Sequence, residues 1–107
     1  MAEASIPRVE PEFFSFIERV REEFRPQRII LFGSRARDDH LLESDYDLVL
    51  VSEAFRGVPW LERAPRVLAL WDLKRGLEVL AYTPEEFEER RKELGIVQQA
   101  IEDGVEL

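Results

Sequence analysis

Two aspartates near the middle of the chain have the spacing of a cation site. Asp45 and Asp47 stand two residues apart, at the start of the apolar segment Tyr46–Val51. Because strand side chains alternate between the faces of a sheet, we expect both carboxylates to point to one face. Hard cations take oxygen ligands, and two uncompensated charges leading into a buried run would be costly. The pair therefore predicts a divalent-cation site, with a solvated strand end as the simpler alternative.

A glycine–serine turn precedes this pair and could hold phosphate. Gly33 and Ser34, here called the phosphate turn, follow the β-branched run Arg28–Phe32. A strand that turns into a helix presents backbone N–H groups that bind anions, and glycine lets a phosphate approach closely. The Ser34 hydroxyl adds a donor, while Arg35 and Arg37 add positive charge. Taken alone, Gly-Ser is more typical of a plain capped turn.

A third carboxylate lies in another apolar segment. Glu78 stands between Leu77 and Val79, and a charged side chain inside an apolar strand needs a reason. It could complete the cation site or act as the base towards an acceptor hydroxyl. The alternative is an edge-strand charge that discourages aggregation. We favour the first interpretation, in which Asp45, Asp47 and Glu78 together form a catalytic and metal-binding set, called the three carboxylates below.

Apolar spacing and capping residues predict the elements that would position these groups. We expect helices over Pro11–Phe24 and over residues 59–71, 84–94 and 96–103, a short helical turn over residues 34–38, and strands over Arg28–Phe32, Tyr46–Val51 and Leu77–Tyr82. Thr83 before Pro84, with Glu86 at the third helical position, is the strongest of the start signals. The order predicts an α/β (α+β) fold, a small mixed β-sheet flanked by helices.

The bulk composition narrows the classes of partner. The 107 residues fit one domain over 1–107, with 1–10 as a loose N-terminal arm, and 45% of them are apolar. No cysteine, no leader-like start and no membrane-length apolar run are present, so we expect a cytoplasmic protein without a membrane partner. A net charge of -8 disfavours nucleic acid, which leaves a small molecule or another protein.

The phosphate turn and the aspartate pair together resemble a known motif. The chain reads Gly-Ser-Arg-Ala-Arg from Gly33 and Ser-Asp-Tyr-Asp-Leu from Ser44. This closely resembles the GSxARG…SDxDL signature of the DNA polymerase β-like nucleotidyltransferase superfamily. In size and layout the chain is similar to its minimal nucleotidyltransferase (MNT) branch, and the resemblance extends over residues 28–87. Two departures stand out, since Asp38 replaces the usual glycine and Glu78 the more common aspartate.

The resemblance implies roles for these residues. The phosphate turn, with Arg35 and Arg37, would bind a nucleoside triphosphate, and the three carboxylates would bind Mg²⁺. The activity would be that of an adenylyltransferase-type nucleotidyltransferase, which moves AMP from ATP to a hydroxyl. Larger relatives have an extra helical domain that helps to form the acceptor site, and this chain has no room for one. The acceptor is therefore expected on a partner.

The resemblance also suggests which partner this is. Minimal nucleotidyltransferases are often antitoxins paired with a helical HEPN-domain toxin, a ribonuclease, and the MNT protein either adenylylates a toxin tyrosine or binds and blocks the toxin. Three functions thus stay open, namely an enzyme that modifies a partner, a catalytically weak binding module, and an enzyme acting on a small molecule. The tryptophans Trp60 and Trp71 indicate either core packing or a protein interface, and His40 is expected in a solvated loop.

Overall fold

The computed structural model describes residues 9–37 and 45–107, without the side chains of Ser34 and Arg37. Its helices are α1 (Pro11–Phe24), α2 (Ser34–Arg37), α3 (Trp60–Leu68), α4 (Pro84–Arg91) and α5 (Ile96–Asp103), and its strands are β1 (Arg28–Phe32), β2 (Tyr46–Val51), β3 (Leu77–Tyr82) and β4 (Val105–Glu106). A short 3₁₀ turn covers Glu53–Phe55. The predicted loop with His40, the Asp38 departure and most of the N-terminal arm lie outside the described residues.

The four strands form one mixed sheet in the order β3-β2-β1-β4. Strand β1 is antiparallel to both β2 and β4, whereas β2 is parallel to β3. A parallel pair needs a crossover connection, and α3 lies in it. The predicted small mixed sheet flanked by helices is confirmed. Leu48–Val51 is buried on both faces of the sheet, because alternate residues pack in two separate core clusters.

Different helices pack on the two faces of the sheet. On the first face, Tyr46, Leu48 and Leu50 pack in one core cluster with α1 and α3; we call it the α1 face. On the second, Val49 and Val51 pack in another cluster with α4 and α5, and we call it the α5 face. Since side chains alternate along β2, the side chain of Asp47 belongs to the α5 face.

Two helices are shorter than predicted. Helix α3 ends at Leu68, where the chain continues in tighter turns that let Trp71 leave the helix and pack on the aromatic core. Helix α4 ends at Arg91, because the charged residues after Phe87 offer no apolar face to extend its packing. The capping box predicted at Thr83 and Glu86 is confirmed.

Two small features were not predicted. Strand β4 has only two residues, too few for any alternation to be visible in the sequence, and it pairs with Ile30 and Leu31. At the N-terminal arm, the last two residues contact the body of the protein. Val9 packs against the core, and Glu10 accepts a hydrogen bond from the Tyr46 hydroxyl at 2.8 Å. These two residues of the arm therefore contact the core, and the predicted looseness of the rest of the arm lies outside the described residues.

Candidate active site

The phosphate turn lies directly against one aspartate. Gly33 connects β1 to α2 with a positive φ of 78°, a conformation that favours glycine. A Cβ atom added to Gly33 would be 2.5 Å from the Oδ2 atom of Asp47. Asp47 is half-buried, and Phe32 is its register partner on β1. The missing side chain of Gly33 is therefore what lets the Asp47 carboxylate reach the turn.

The second aspartate faces the other neighbouring strand. Asp45 is exposed, one residue before β2, and its Oδ1 atom accepts a hydrogen bond of 3.1 Å from the backbone N–H of Gly76. A Cβ atom on Gly76 would lie 2.6 Å from that oxygen. Each aspartate thus contacts a glycine, with Asp47 against the β1 side of β2 and Asp45 against the β3 side.

The third predicted carboxylate lies next to Asp47 in the sheet. Glu78 is its register partner across the parallel pair of β2 and β3, which places both residues on the α5 face. Glu78 is exposed, and β3 is an edge of the sheet. Both interpretations of Glu78 are therefore compatible with its position, since an edge-strand charge would also be exposed.

These groups have the donor chemistry that a magnesium ion requires. The three carboxylates supply oxygen ligands from adjacent positions at one end of the sheet. The Asp47 carboxylate fills the position that a side chain at residue 33 would take, which brings one of these oxygens against the phosphate turn. Within residues 9–37 and 45–107, however, no group of three or more potential ligands is already gathered as a metal cluster. The residues fit Mg²⁺ in donor chemistry, and the ligand set stays a prediction.

Arg35 is part of the fold rather than part of the exposed turn. Its side chain is 1% exposed, and its guanidinium lies 4.3 Å from the centre of the Tyr46 ring. It also approaches Glu10 at 3.9 Å. Because Tyr46 and Asp47 point to opposite faces of β2, this contact places the guanidinium on the α1 face, away from the Asp47 carboxylate. The structure does not bring Arg35 to the predicted site, while the side chains of Ser34 and Arg37 lie outside the described atoms.

The residue between the two aspartates anchors their strand. The Tyr46 ring stacks on Phe13 at 4.7 Å and meets Trp71 edge-on at 5.4 Å. Burial raises the pKa of Tyr46 to about 12, so its hydroxyl stays protonated and donates to Glu10. This anchor was not predicted, although the alternation Asp-Tyr-Asp already indicated that the tyrosine would point away from the carboxylates.

A cleft opens beside the phosphate turn. It has a volume of about 180 Å³, and its lining consists of Phe32, Gly33, Ile96, Gln99 and Asp103. The last three residues come from α5, a helix whose residues were not among the predicted site residues. Their spacing of i, i+3 and i+7 is the signal that could have shown a shared face.

The two tryptophans have different environments. Trp71 packs among Phe13, Phe16 and Tyr46, which confirms the core interpretation for that residue. Trp60, at the start of α3, is 47% exposed, and the adjacent Leu61 is 85% exposed. For Trp60 the interface interpretation stays open.

Comparison with known proteins identifies the fold and a family. A family model described as a nucleotidyltransferase domain matches residues 15–106. Among solved structures, a candidate nucleotidyltransferase from Sulfolobus solfataricus is similar, with a TM-score of 0.63 and 24% identity over 98% of this chain and 84% of that one. Among curated proteins, none matches the chain.

Two plant proteins also share the arrangement. BolA1 from Arabidopsis thaliana has a TM-score of 0.60 at 20% identity, and the BolA domain of SufE1 from the same organism has 0.58 at 22%; each match covers 73% of this chain and 98% of the other. At such identities the likeness extends to the fold alone, so the functional argument depends on the family match. No helix in the described ranges is long and apolar enough to cross a membrane.

Proposed function

The chain belongs to the nucleotidyltransferase domain family, and from that premise we propose that it uses Mg²⁺ to move AMP from ATP to a hydroxyl group of a protein partner. The observation that carries the proposal is the contact between the phosphate turn and Asp47. A positive-φ glycine, a half-buried carboxylate against it and Glu78 in register lie at one end of one sheet. The family match supports nucleotidyl transfer, and the resemblance of the motif supports ATP and Mg²⁺.

In the proposed reaction, the oxygen of the acceptor hydroxyl forms a bond to the α-phosphorus of ATP. The bond from that phosphorus to the bridging oxygen of the β-phosphate breaks, and pyrophosphate leaves with the electron pair. Bound Mg²⁺ would neutralise charge on the phosphate oxygens. Glu78, which is exposed and in register with Asp47, would accept the hydroxyl proton, and the backbone of the phosphate turn would orient the triphosphate.

The partner in this proposal is a helical toxin of the HEPN type, as the resemblance to minimal nucleotidyltransferases implies. A protein acceptor agrees with the net charge of -8, which would repel nucleic acid. It also agrees with the exposed apolar side chains of Trp60 and Leu61 on α3, since exposed apolar patches commonly mark protein contacts. These two residues are the surface through which we propose that the partner binds.

The alternative is a binding module that neutralises its partner without catalysis. Two observations favour it. Asp45 is hydrogen-bonded to Gly76 on the β3 side of the strand, while Asp47 lies against the β1 side. Asp38 also puts a negative charge where the family signature has glycine. An enzyme must bring the two aspartates together around a cation, whereas a binding module has no such requirement.

Calorimetry with ATP, in the presence and absence of Mg²⁺, tests the site. We expect heat of binding only when the metal is present, and we expect Asp47→Asn to abolish it. Glu88→Gln is the matched control, because Glu88 is an exposed carboxylate on α4 that contacts only Arg91 among the hydrogen bonds described. A folded wild-type sample that gives no heat at high protein concentration would remove the basis for an ATP-dependent function.

A further inference from the structure

The cleft beside the phosphate turn shares a residue with the proposed nucleotide site. Gly33 belongs to both, because its backbone lines the cleft while Asp47 lies against the position of its absent side chain. Phe32, the register partner of Asp47, forms another part of the lining, and α5 forms the opposite wall. A ligand whose phosphates lie at Gly33 would therefore have the cleft within reach of its remaining part.

The lining of the cleft disfavours phosphate as its occupant. Asp103 contributes a carboxylate to the cleft, whereas at Gly33 the proposed Mg²⁺ would offset the charge of Asp47. A phosphate group in the cleft would be repelled by Asp103. The cleft is therefore suited to an uncharged group joined to the phosphates.

The same lining has the chemistry of a flat heterocycle. Phe32 and Ile96 offer apolar surface, which favours contact with the faces of a ring. Gln99 carries an amide that both donates and accepts hydrogen bonds, and a carboxylate such as Asp103 accepts from an amino group. A nucleobase has apolar faces and a polar edge, so it matches this combination. The ribose has no comparable apolar face.

We propose that this cleft binds the base of the nucleoside triphosphate and selects bases with an exocyclic amino group, adenine among them. The inference rests on the proposed function, since it takes the phosphates at Gly33 as given. Asp103 accepts a hydrogen bond from the amino group, and Gln99 pairs with the neighbouring ring positions. Uracil has a carbonyl oxygen in place of that amino group, which would face the Asp103 carboxylate unfavourably.

Nucleotide titrations with Mg²⁺ test this assignment, using ATP, UTP and inorganic triphosphate as probes. Wild type should bind ATP about tenfold more tightly than UTP, the value of one hydrogen bond to a charged acceptor. Gln99→Leu and Asp103→Asn should each bring the two affinities together and leave triphosphate binding unchanged. The helix offers matched controls, since Gln98→Leu and Glu102→Gln change the adjacent amide and carboxylate, which do not line the cleft.

The possible results separate the two proposals. If wild type binds neither ATP nor triphosphate, the proposed function itself fails. If triphosphate binds but ATP is no tighter than UTP, or if Gln99→Leu and Gln98→Leu behave alike, the nucleotide site survives and the base-binding cleft is wrong. If Gln99→Leu or Asp103→Asn changes the KM of the acceptor and leaves ATP affinity unchanged, the cleft binds the acceptor, and the inference is wrong.

Discussion

Gly33 has two separate reasons to be glycine, and a second glycine has only one of them. Both Gly33 and Gly57 have a φ of 78°. A Cβ atom on Gly33 would collide with Asp47, whereas one on Gly57 would meet nothing within 4 Å. Gly57 is therefore a control for Gly33. A substitution at Gly57 causes backbone strain alone, whereas one at Gly33 also displaces the Asp47 carboxylate.

We predict that Gly33→Ala and Gly57→Ala share a strain cost of about 1–2 kcal/mol, because both force an L-residue into the left-handed region. Gly33→Ala should be destabilised further and should lose ATP binding, since the new methyl group displaces Asp47. Gly57→Ala should keep full ATP affinity. Urea unfolding and calorimetry on both variants measure the two effects. Normal ATP binding by Gly33→Ala would show that the contact with Asp47 is not part of a nucleotide site.

Asp45 allows a functional carboxylate to be told apart from a structural one. We predict that Asp45→Asn abolishes transfer and leaves the metal-free protein equally stable or more stable, by up to about 1 kcal/mol for an exposed site. The residue is exposed, and an asparagine oxygen can still accept the hydrogen bond from Gly76. Removing one charge also relieves repulsion from Asp47 and its acidic neighbours in the sequence.

Thermal melts of wild type and Asp45→Asn in EDTA, combined with a transfer assay, check this prediction. Asp72→Asn serves as the reference, because Asp72 is an exposed aspartate whose side chain pairs with Arg19. An Asp45→Asn variant that melts clearly lower and still transfers nucleotide would mean that Asp45 is a structural residue.

Among the candidate site residues, those whose position follows from local rules were predictable. Alternation along a strand and a glycine at a turn are visible in the sequence, so the turn at Gly33 and the strand that starts beside Asp47 could be predicted. Arg35 shows the limit of such rules. Its burial depends on Tyr46 and Glu10, and Glu10 is 25 positions earlier in the chain. No local pattern contains that contact.

At the scale of elements, one arginine connects α3 to the loop before it, to β3 and to α4. Arg63 on α3 is 7% exposed and donates to the backbone carbonyls of Val58 and Ala81. It also forms a two-pronged ion pair with Glu86 of α4, at 2.6 and 3.1 Å. Glu86 in turn accepts from the backbone N–H of Thr83 in the capping box. One carboxylate therefore holds the start of α4 against α3.

This ion pair should appear in the pH dependence of stability. Hydrogen bonds from Arg63 hold the pKa of Glu86 below its ordinary value of 4.5. A lowered folded-state pKa stabilises the protein above the unfolded pKa, and this contribution is lost as pH falls through the folded value. We predict that Glu86→Gln lowers the free energy of unfolding at pH 7, and that the gap to wild type narrows below about pH 4.5.

Urea unfolding between neutral pH and pH 3 measures that gap. Glu89→Gln is the control, since Glu89 on the same helix is exposed and contacts only Lys92 among the salt bridges described. It should run parallel to wild type. Because Glu85 and Glu106 also have lowered pKa values, both proteins will retain some acid sensitivity. A gap that stays constant with pH would show that the pair with Arg63 contributes no charge-dependent stability.

For the whole molecule, the sequence predicted the fold well because each long element has its own signal. The stripe of α1, the apolar run of β2 and the capping box before α4 are all local patterns, and all three are confirmed. The two residues of β4 are held only by pairing with β1, so nothing in their own sequence indicates a strand. The cleft beside Gly33 forms where α5 packs near the end of β1. The two segments are far apart in the sequence, so the spacing of residues within either one could not predict the cleft.

An experiment on the complex of this chain with its partner distinguishes the enzyme from the binding module. We predict that the chain alone shows little turnover with ATP labelled at the α-phosphate, and that a helical partner of the HEPN type becomes labelled on a hydroxyl side chain. The reason is that the resemblance to minimal nucleotidyltransferases implies an acceptor hydroxyl on a partner protein. Leu61→Ser should weaken labelling through loss of partner contact.

Two variants make this test decisive. Leu94→Ser is matched to Leu61→Ser, because both leucines are largely exposed, at 93% and 85%, and Leu94 belongs to the turn between α4 and α5 instead of to α3. Asp45→Asn should still bind the partner but leave it unlabelled and active, because contact through α3 does not need the carboxylate. If Asp45→Asn silences the partner as completely as wild type does, complex formation suffices and the protein acts as a binding module. Label on the chain itself in the absence of a partner would contradict an acceptor supplied from outside.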